Sequence, residues 1–236
     1  MKILAFESSA RAASVALVSD GALLSEYTQN SGQTHSRTLM EMAKDLLVNC
    51  SLTPQDVDAV AVAAGPGSFT GIRIGMAAAK GFAWGRQLPL YGVSTLEAMV
   101  RGAAYAGGVW CACMDARKQQ IYNACFTLQQ GTLQRLTPDR AIAISELAGE
   151  LAATQQTIYL VGDGAKLVYD TLAGQLPFVL LPEQLRQQRA AGTALCAYDM
   201  AISGQTGDAA ALVPNYLRMA QAERTRQENK DFYLKR

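Results

Sequence analysis

The chain has 236 residues, of which 50% are hydrophobic and 17% charged, and its formal net charge is +1. This composition excludes a disordered chain or a coiled coil, and the balanced charge excludes a strongly basic nucleic-acid binder. No apolar run reaches the roughly 18 residues that a membrane helix needs. The five cysteines show no disulfide spacing, so we expect a reduced, cytoplasmic protein without membrane contact.

The N-terminal part of the chain predicts a strand meander followed by alternating helices and strands. The second and third strands are joined by Asp20-Gly21, a pair typical of tight hairpin turns. Hydrophobic periodicity then predicts a helix, a buried strand, a second helix, a further strand and a third helix. The predicted ranges are 2–7, 14–18, 22–27, 36–50, 57–64, 70–84, 88–93 and 95 onward.

A similar order of elements returns after the glycine-rich stretch 102–108. We therefore predict a duplicated chain, with an N-terminal half at 1–104 and a smaller C-terminal half at 105–215. A helix or tail at 216–236 follows, and its packing on the N-terminal half is left open. In the second half a helix capped by Ser145 is predicted, and the strands and helices span 109–115, 120–128, 132–136, 145–153, 158–161 and 166–173.

A glycine-rich loop separates the buried strand 57–64 from the helix 70–84. Strand, loop and helix in this order can hold anions, because glycines let the backbone turn and the amides at a helix start point at the ligand. The Gly-Lys-Ser/Thr ending of a Walker A motif is absent, however. We predict a structural or vestigial phosphate site rather than a working one, formed by Ser8, Ser9, Gly65, Gly67, Ser68 and Arg73.

The residues that would complete a catalytic site are missing from the pattern. Asp115 is followed by bulky residues, which makes a poor phosphate turn, and we favour an ion pair between Asp115 and Arg117. His35, the only histidine, is interpreted as a cap or surface contact. Cys111 and Cys113 alternate on one strand and are interpreted as buried thiols. We therefore predict no catalytic residue, no metal site and no firmly bound cofactor.

Several short motifs occur along nearly the whole chain. The most specific motif is Gly65-Pro66-Gly67-Ser68-Phe69-Thr70-Gly71-Ile72-Arg73-Ile74-Gly75. The others are Ile3-Leu4-Ala5-Phe6-Glu7-Ser8-Ser9, Ser14-Val15-Ala16-Leu17, Gly92-Val93-Ser94-Thr95-Leu96-Glu97-Ala98, Met114-Asp115-Ala116-Arg117, Gly162-Asp163-Gly164 and Pro214-Asn215-Tyr216-Leu217-Arg218. Together these motifs resemble those of the TsaB (YeaZ) family. This resemblance implies an α/β fold of the actin, sugar-kinase and Hsp70 type, with two ribonuclease-H-like halves whose mixed sheets are flanked by helices.

The same resemblance implies a non-catalytic scaffold or activator. It implies binding to a TsaD-like subunit, with a TsaE-like ATPase, for the formation of N6-threonylcarbamoyladenosine next to the anticodon of tRNA, which the chain contacts only indirectly. It also implies a homodimer when the chain is alone, and places ATP or ADP at a subunit boundary of the complex. The resemblance also implies that the catalytic relatives have a segment like a His-x-x-x-His pair after the matching strand. This chain has Thr95 and Met99 at those two positions.

The helix at 70–84 is apolar on nearly all sides, which indicates that more than its own sheet covers it. Gly71 and Gly75, then Gly81 and Gly85, are each four apart, and we predict that another helix approaches along them. The alternative is that this helix and the helix at 36–50 bury only each other and the sheet. The resemblance favours an interface, for which we predict His35, Leu39, Met42, Ala43, Leu46, Ile72, Met76, Ala79 and Lys80.

Two other functions stay open at this stage. An ATP-dependent small-molecule kinase or ATPase of the same fold is favoured by the Glu7-Ser8-Ser9 turn and the glycine loop, and opposed by the second turn. An M22-like peptidase would need a bound metal. The terminal segment 218–236 alternates charge signs, and we interpret it as a solvated helix and tail for which a weak tRNA contact is left open.

Overall fold

The computed structural model describes residues 1–218, which contain two mixed β-sheets. In the first sheet the strand order is β3-β2-β1-β4-β5, and β1 is antiparallel to β2 and parallel to β4. Apolar residues fill both faces of β1 and β4, which is typical of strands at the centre of a covered sheet. These strands are β1 (Lys2–Glu7), β2 (Ala13–Ser19), β3 (Ala22–Gln29), β4 (Ala59–Gly65) and β5 (Leu90–Ser94).

The second sheet repeats this topology. Its order is β11-β10-β6-β7-β8, with β6 antiparallel to β7 and parallel to β10, and β9 also pairs with β7. The predicted fold, two halves whose mixed sheets are flanked by helices, is confirmed. The strands are β6 (Val109–Asp115), β7 (Gln120–Gln129), β8 (Thr132–Arg135), β9 (Arg140–Ala143), β10 (Ile158–Val161) and β11 (Phe178–Leu180).

The hairpin turns at Asp20-Gly21 and Gln130-Gly131 have the same conformation in both halves. All four residues have positive φ, 50° and 79° in the first pair and 50° and 78° in the second. Left-handed conformation at both central residues defines the type I′ turn, whose twist matches that of the flanking strands. The predicted hairpin at Asp20-Gly21 is therefore confirmed, and the second half contains a matching one.

The predicted helices are found with ends that differ by one or two residues. The prediction that Ser145 caps a helix is wrong, because α4 begins at Ile144 with Ala143 in the cap position. Sequence periodicity did not predict β9, β11, α6 or α7. The helices are α1 (His35–Asn49), α2 (Phe69–Arg86), α3 (Thr95–Ala103), α4 (Ile144–Leu151), α5 (Ala165–Thr171), α6 (Glu183–Arg186) and α7 (Ala190–Ile202).

Each half contributes its last long helix to the other half. One face of the first sheet is covered by α1 and α2, whereas its other face is covered by α7 from the end of the second half. Conversely, Leu96 and Val100 of α3 pack on Trp110 of the second sheet. The two exchanged helices touch where Gly102 meets Gly192. The predicted boundary near residue 104 thus separates the two halves along the chain, but each half packs against a helix that belongs to the other.

No helix within residues 1–218 is long and apolar enough to cross a membrane. Of the predicted terminal segment 216–236, residues 219–236 lie outside the described part of the chain.

Candidate functional site

A cleft of about 590 Å³ lies between the two halves, where the carboxyl ends of the central strands of both sheets meet. Loops at this edge commonly form binding sites in α/β proteins, because the side chains that follow parallel strands converge there. The cleft is lined by residues of both halves and of the segment after α7, among them Ser9, Ser68, Asp115, Asp163, Tyr216 and Arg218.

The predicted phosphate residues of the first half bind each other. Ser8 Oγ donates a hydrogen bond to Gly71 O (2.9 Å), and the Ser68 amide donates to Ser9 O (2.6 Å). A Cβ atom at Gly67 or Gly71 would overlap the carbonyl oxygen of Ser9 or Ser8. The glycines therefore let the turn after β1 pack against the start of α2, and the Ser8 hydroxyl and Ser68 amide are not free for a phosphate in this conformation.

Arg73, the predicted cation beside the loop, is held by aromatic rings. Its guanidinium carbon lies 3.9 Å from the centre of the Phe69 ring, and its Nε donates a hydrogen bond to Tyr216 Oη at 2.9 Å. Phe69 and Tyr216 stack with ring centres 4.5 Å apart. Gly65, with φ +118°, leaves room for the backbone of Asn215. These contacts attach the segment after α7 to the start of α2.

The turn of the second half contains the predicted ion pair. Asp115 Oδ1 accepts a hydrogen bond from the Arg117 amide (2.7 Å), and Asp115 Oδ2 lies 3.5 Å from Arg117 Nη1. The Arg117 side chain is 85% exposed, so this confirmed pair contributes little to stability. Arg117, Lys118 and Gln119 all have φ between 55° and 67°, a left-handed run that is uncommon for residues with side chains.

Two carboxyl groups from opposite halves lie near each other at the cleft: Asp163 lines it, and Glu7 is buried behind its lining. Glu7 is fully buried at the end of β1; its Oε1 accepts a hydrogen bond from the Ser9 amide (2.6 Å), and its Oε2 has no partner within residues 1–218. Burial raises the pKa of Glu7 to about 7; the hydrogen bond from the Ser9 amide opposes this shift, and the charge of Asp163 adds to it.

Asp163 is open to the cleft, and partial desolvation by the surrounding protein raises the pKa of its carboxyl group. Gln188 Nε2 donates a hydrogen bond to Asp163 Oδ1 at 2.9 Å, which favours the ionised form of Asp163. Sequence reasoning noted that β1 ends in a carboxylate but did not predict that the carboxylate is buried opposite a second one.

Thr95 and Met99, the two positions at which the resemblance predicted the loss of a histidine pair, belong to the core. Thr95 is fully buried, and Met99 packs in the second sheet's core beside Gly162. Among residues 1–218, no group of three or more His, Cys, Asp or Glu side chains could hold a metal ion. His35 donates from Nε2 to Ala10 O at 2.9 Å, in the turn between β1 and β2.

Cys111 and Cys113 are buried thiols, as predicted, with their sulfur atoms 3.6 Å apart. The hydrogen bond between them, together with burial, raises the pKa of the Cys111 thiol well above its ordinary value. A thiol with a raised pKa in an apolar site is a weak nucleophile, because only the thiolate reacts readily.

Six of the nine predicted interface residues are part of the chain's own interior. They are at most 5% exposed, so their side chains are covered before any partner binds: Leu39, Ala43, Leu46, Ile72, Met76 and Ala79. His35, Met42 and Lys80 are partly exposed.

The prediction that all four glycines of α2 face an approaching helix is wrong. Gly71 and Gly75 face Ser8 inside the protein, whereas a Cβ at Gly81 or Gly85 would meet no atom within 4 Å. The residues of α2 that do face outward form what we call the outer stripe: Arg73, Ala77, Gly81, Trp84 and Gly85. Trp84 is 78% exposed, which is unusual for so large an apolar side chain.

Proteins named tRNA threonylcarbamoyladenosine biosynthesis protein TsaB are similar to this chain. The one from Bacillus subtilis (strain 168) is 29% identical over 94% of this chain and 96% of its own length. The one from Escherichia coli (strain K12) is 34% identical over 64% of this chain and 65% of its own length. The solved structure of YeaZ from Pseudomonas aeruginosa superimposes with a TM-score of 0.80 at 28% identity, covering 92% of this chain and 99% of that chain.

The repeated strand order and the cleft between the halves define a protein of the actin, sugar-kinase and Hsp70 fold class. Residues 23–227 match the family described as TsaD, tRNA N6-adenosine threonylcarbamoyltransferase. The chain belongs to this family, and it is similar to proteins named TsaB and YeaZ.

Proposed function

We propose that the chain is a non-catalytic subunit in the formation of N6-threonylcarbamoyladenosine in tRNA. Its role is to bind a TsaD-like subunit and, with a TsaE-like ATPase, to support modification next to the anticodon, in the cytoplasm and without direct tRNA binding. The names of the similar proteins and the TsaD-type family support this role. The observation that carries it is the outer stripe of α2, where Trp84 is exposed beside two open glycines.

The chemistry of this stripe suits a protein partner. Exposed tryptophans are among the side chains that contribute most to protein interfaces, because they bury a large area at a small entropic cost. Gly81 and Gly85 let a partner helix approach the backbone closely, and α1, which contacts α2, also carries exposed apolar side chains at Met40 and Val48. In the absence of the partner, the same surface would pair two copies of this chain.

The contacts within the cleft support a silent role for this chain. The Ser8 hydroxyl and the Ser68 amide donate hydrogen bonds to groups of the protein itself. Met99 packs in the core at one of the two positions where the resemblance predicted the loss of a histidine pair. We therefore assign no cofactor to the isolated chain, and ATP or ADP belongs in this proposal to a boundary between subunits.

We keep the kinase only as the alternative favoured by the volume of the cleft, and calorimetry with ATP and Mg²⁺ tests it directly. Micromolar binding with turnover would favour the kinase.

The docking surface is tested by placing charge on the outer stripe. Ala77 is exposed, so Ala77→Glu leaves the core intact but puts a carboxylate into the interface. We expect it, and Trp84→Ala, to weaken binding of a TsaD-like subunit by roughly tenfold or more, since about 1.4 kcal/mol corresponds to that factor. Co-purification, titration calorimetry and the threonylcarbamoyladenosine content of tRNA measure the effect.

Ala153→Glu is the matched control, because Ala153 is equally exposed but lies after α4 in the second half. We expect it to leave binding unchanged. Met76→Glu is unsuitable, since Met76 is buried and a charge there would unfold the protein. Full binding and full tRNA modification with Ala77→Glu would show that the partner does not dock on the outer stripe.

A further inference from the structure

The segment after α7 runs back over the first half and then reaches the second half. Leu212 packs beside Gly92, where a Cβ atom would overlap the leucine side chain. Three residues later the Asn215 amide donates a hydrogen bond to Ala64 O at 2.7 Å, beside the carboxyl end of β4. The segment is therefore fixed to the first half before it reaches the cleft.

Residues 215–218, which we call the strap, line the cleft and contact both halves. On the first half, Tyr216 stacks on Phe69 and accepts a hydrogen bond from Arg73. On the second half, the guanidinium group of Arg218 donates a hydrogen bond to Ala116 O in the turn between β6 and β7. The strap thus spans the opening of the cleft.

The attachment of the strap is unequal on its two sides. The first half holds it by a backbone hydrogen bond, an aromatic stack and the Arg73 contact. The second half holds it by the Arg218 hydrogen bond to a turn whose residues 117–119 are exposed. Within residues 1–218, release of the strap from the second half would therefore break fewer contacts than release from the first half.

The halves are also joined by α3 and α7, which cross where Gly102 meets Gly192. Gly102 lies near the end of α3, seven residues after Thr95 at the start of that helix, where β5 ends. A small rotation at this glycine contact would therefore change the width of the cleft. The strap and the helix crossing are two separate restraints on the same motion.

We propose that the strap is a latch that fixes the width of the cleft, and that release of Arg218 from the second half lets the two halves separate. In the released state, Ser9 and Asp163 become more accessible from solvent than they are with the strap in place. Ser9 fits this role, because the residue borders the cleft while its hydroxyl is buried and has no hydrogen-bond partner among the described residues. This inference does not rest on the proposed partner.

The latch is tested by measuring distances between spin labels on the two halves. Lys44 on α1 and Lys166 on α5 are exposed and can be replaced by labelled cysteines in the full chain carrying Cys50→Ser. The other native cysteines are buried. Pulsed electron resonance should give one narrow distance peak in this parent protein.

We expect Arg218→Ala and Tyr216→Ala to broaden that peak and to add a longer distance. Arg218→Lys, which keeps a donor, should retain most of the parent distribution. Val213→Ala is the control, since Val213 is 71% exposed in the same segment and its side chain is not part of the strap. Thermal unfolding of each variant shows that it is folded. Distributions identical to the parent in both Arg218→Ala and Tyr216→Ala would overturn the proposal.

Discussion

At the scale of one residue, Glu7 shows how burial opposes the ionisation of a carboxyl group. It ends a strand whose side chains pack on both faces of the sheet, so it is as inaccessible as the apolar residues before it. The Ser9 amide binds only one of its two oxygens, and the carboxyl group of Asp163 lies on the opposite half. Because water cannot stabilise the charged form, the folded protein favours a protonated Glu7.

This environment predicts that stability falls as pH rises. The pKa of Glu7 is raised from 4.5 to about 7, so its stabilising effect is complete below pH 4.5 and is lost as pH rises through 7. The full effect is of the order of 3 kcal/mol, at about 1.4 kcal/mol for each pKa unit. Glu7→Gln should remove this decrease, as measured by urea unfolding at several pH values between 4.5 and 8. The exposed Glu41→Gln should retain it, and an unchanged slope in Glu7→Gln would contradict the assignment.

At the scale of one element, the two faces of α2 lie in different environments. Its inner face packs on the turn after β1 and on the first sheet, and its outer stripe is exposed. The sequence was sufficient to predict the helix to within one or two residues at each end, because an apolar run follows the glycine-rich loop, but the cap at Ser68 was not predicted. It was also sufficient to show that α2 has too little polar surface for a helix that is covered only by its own sheet on one side.

The orientation of α2 could have been derived more accurately from its own geometry. Gly75 and Gly81 are six residues apart, and at about 100° per residue they point in directions roughly 240° apart on a helix. The two glycine pairs therefore cannot lie on one face. Likewise Leu39, Ala43 and Leu46, spaced as i, i+4 and i+7, form the stripe that a helix turns towards its own core, so a partner would have to bind the other side of α1.

The two glycine environments predict opposite effects of the same substitution. Gly71→Ala should destabilise the protein by about 1–3 kcal/mol or more, because the new methyl group would overlap the backbone of Ser8. Gly81→Ala should stabilise it by about 0.5–1 kcal/mol, since nothing is near and alanine is the better helix former. Free energies of unfolding from chemical denaturation measure both. Equal effects at the two positions would mean that the close approach of Ser8 is not required.

At the scale of the molecule, the exchange of α3 and α7 makes the two halves depend on each other. The repeated order of elements was sufficient to predict the duplication. It was not sufficient to predict α7, because this helix is made of small and apolar residues without a clear periodicity. Its role depends on the sheet that it covers, and that sheet is formed by the other end of the chain.

The exchange predicts that residues 1–104 do not fold alone. Without α7, Ile3, Ala5 and Val18 would be exposed on one face of the first sheet, and Leu96 of α3 would lack the second sheet. We expect the fragment to show poor amide dispersion by NMR and no cooperative thermal transition. Co-expression with residues 105–236 should restore both. A cooperative transition of the isolated fragment would show that α7 is dispensable for the first half.

The exchanged helices also set a time order for folding in the cell. The first sheet is complete in sequence at Ser94, but the helix that covers its second face begins only at Ala190. A ribosome needs roughly 5–20 s to add the intervening residues, of which there are about 100. During that interval the nascent chain carries an uncovered apolar sheet face. We therefore expect that chaperones bind this half during translation and leave once α7 has emerged from the exit tunnel.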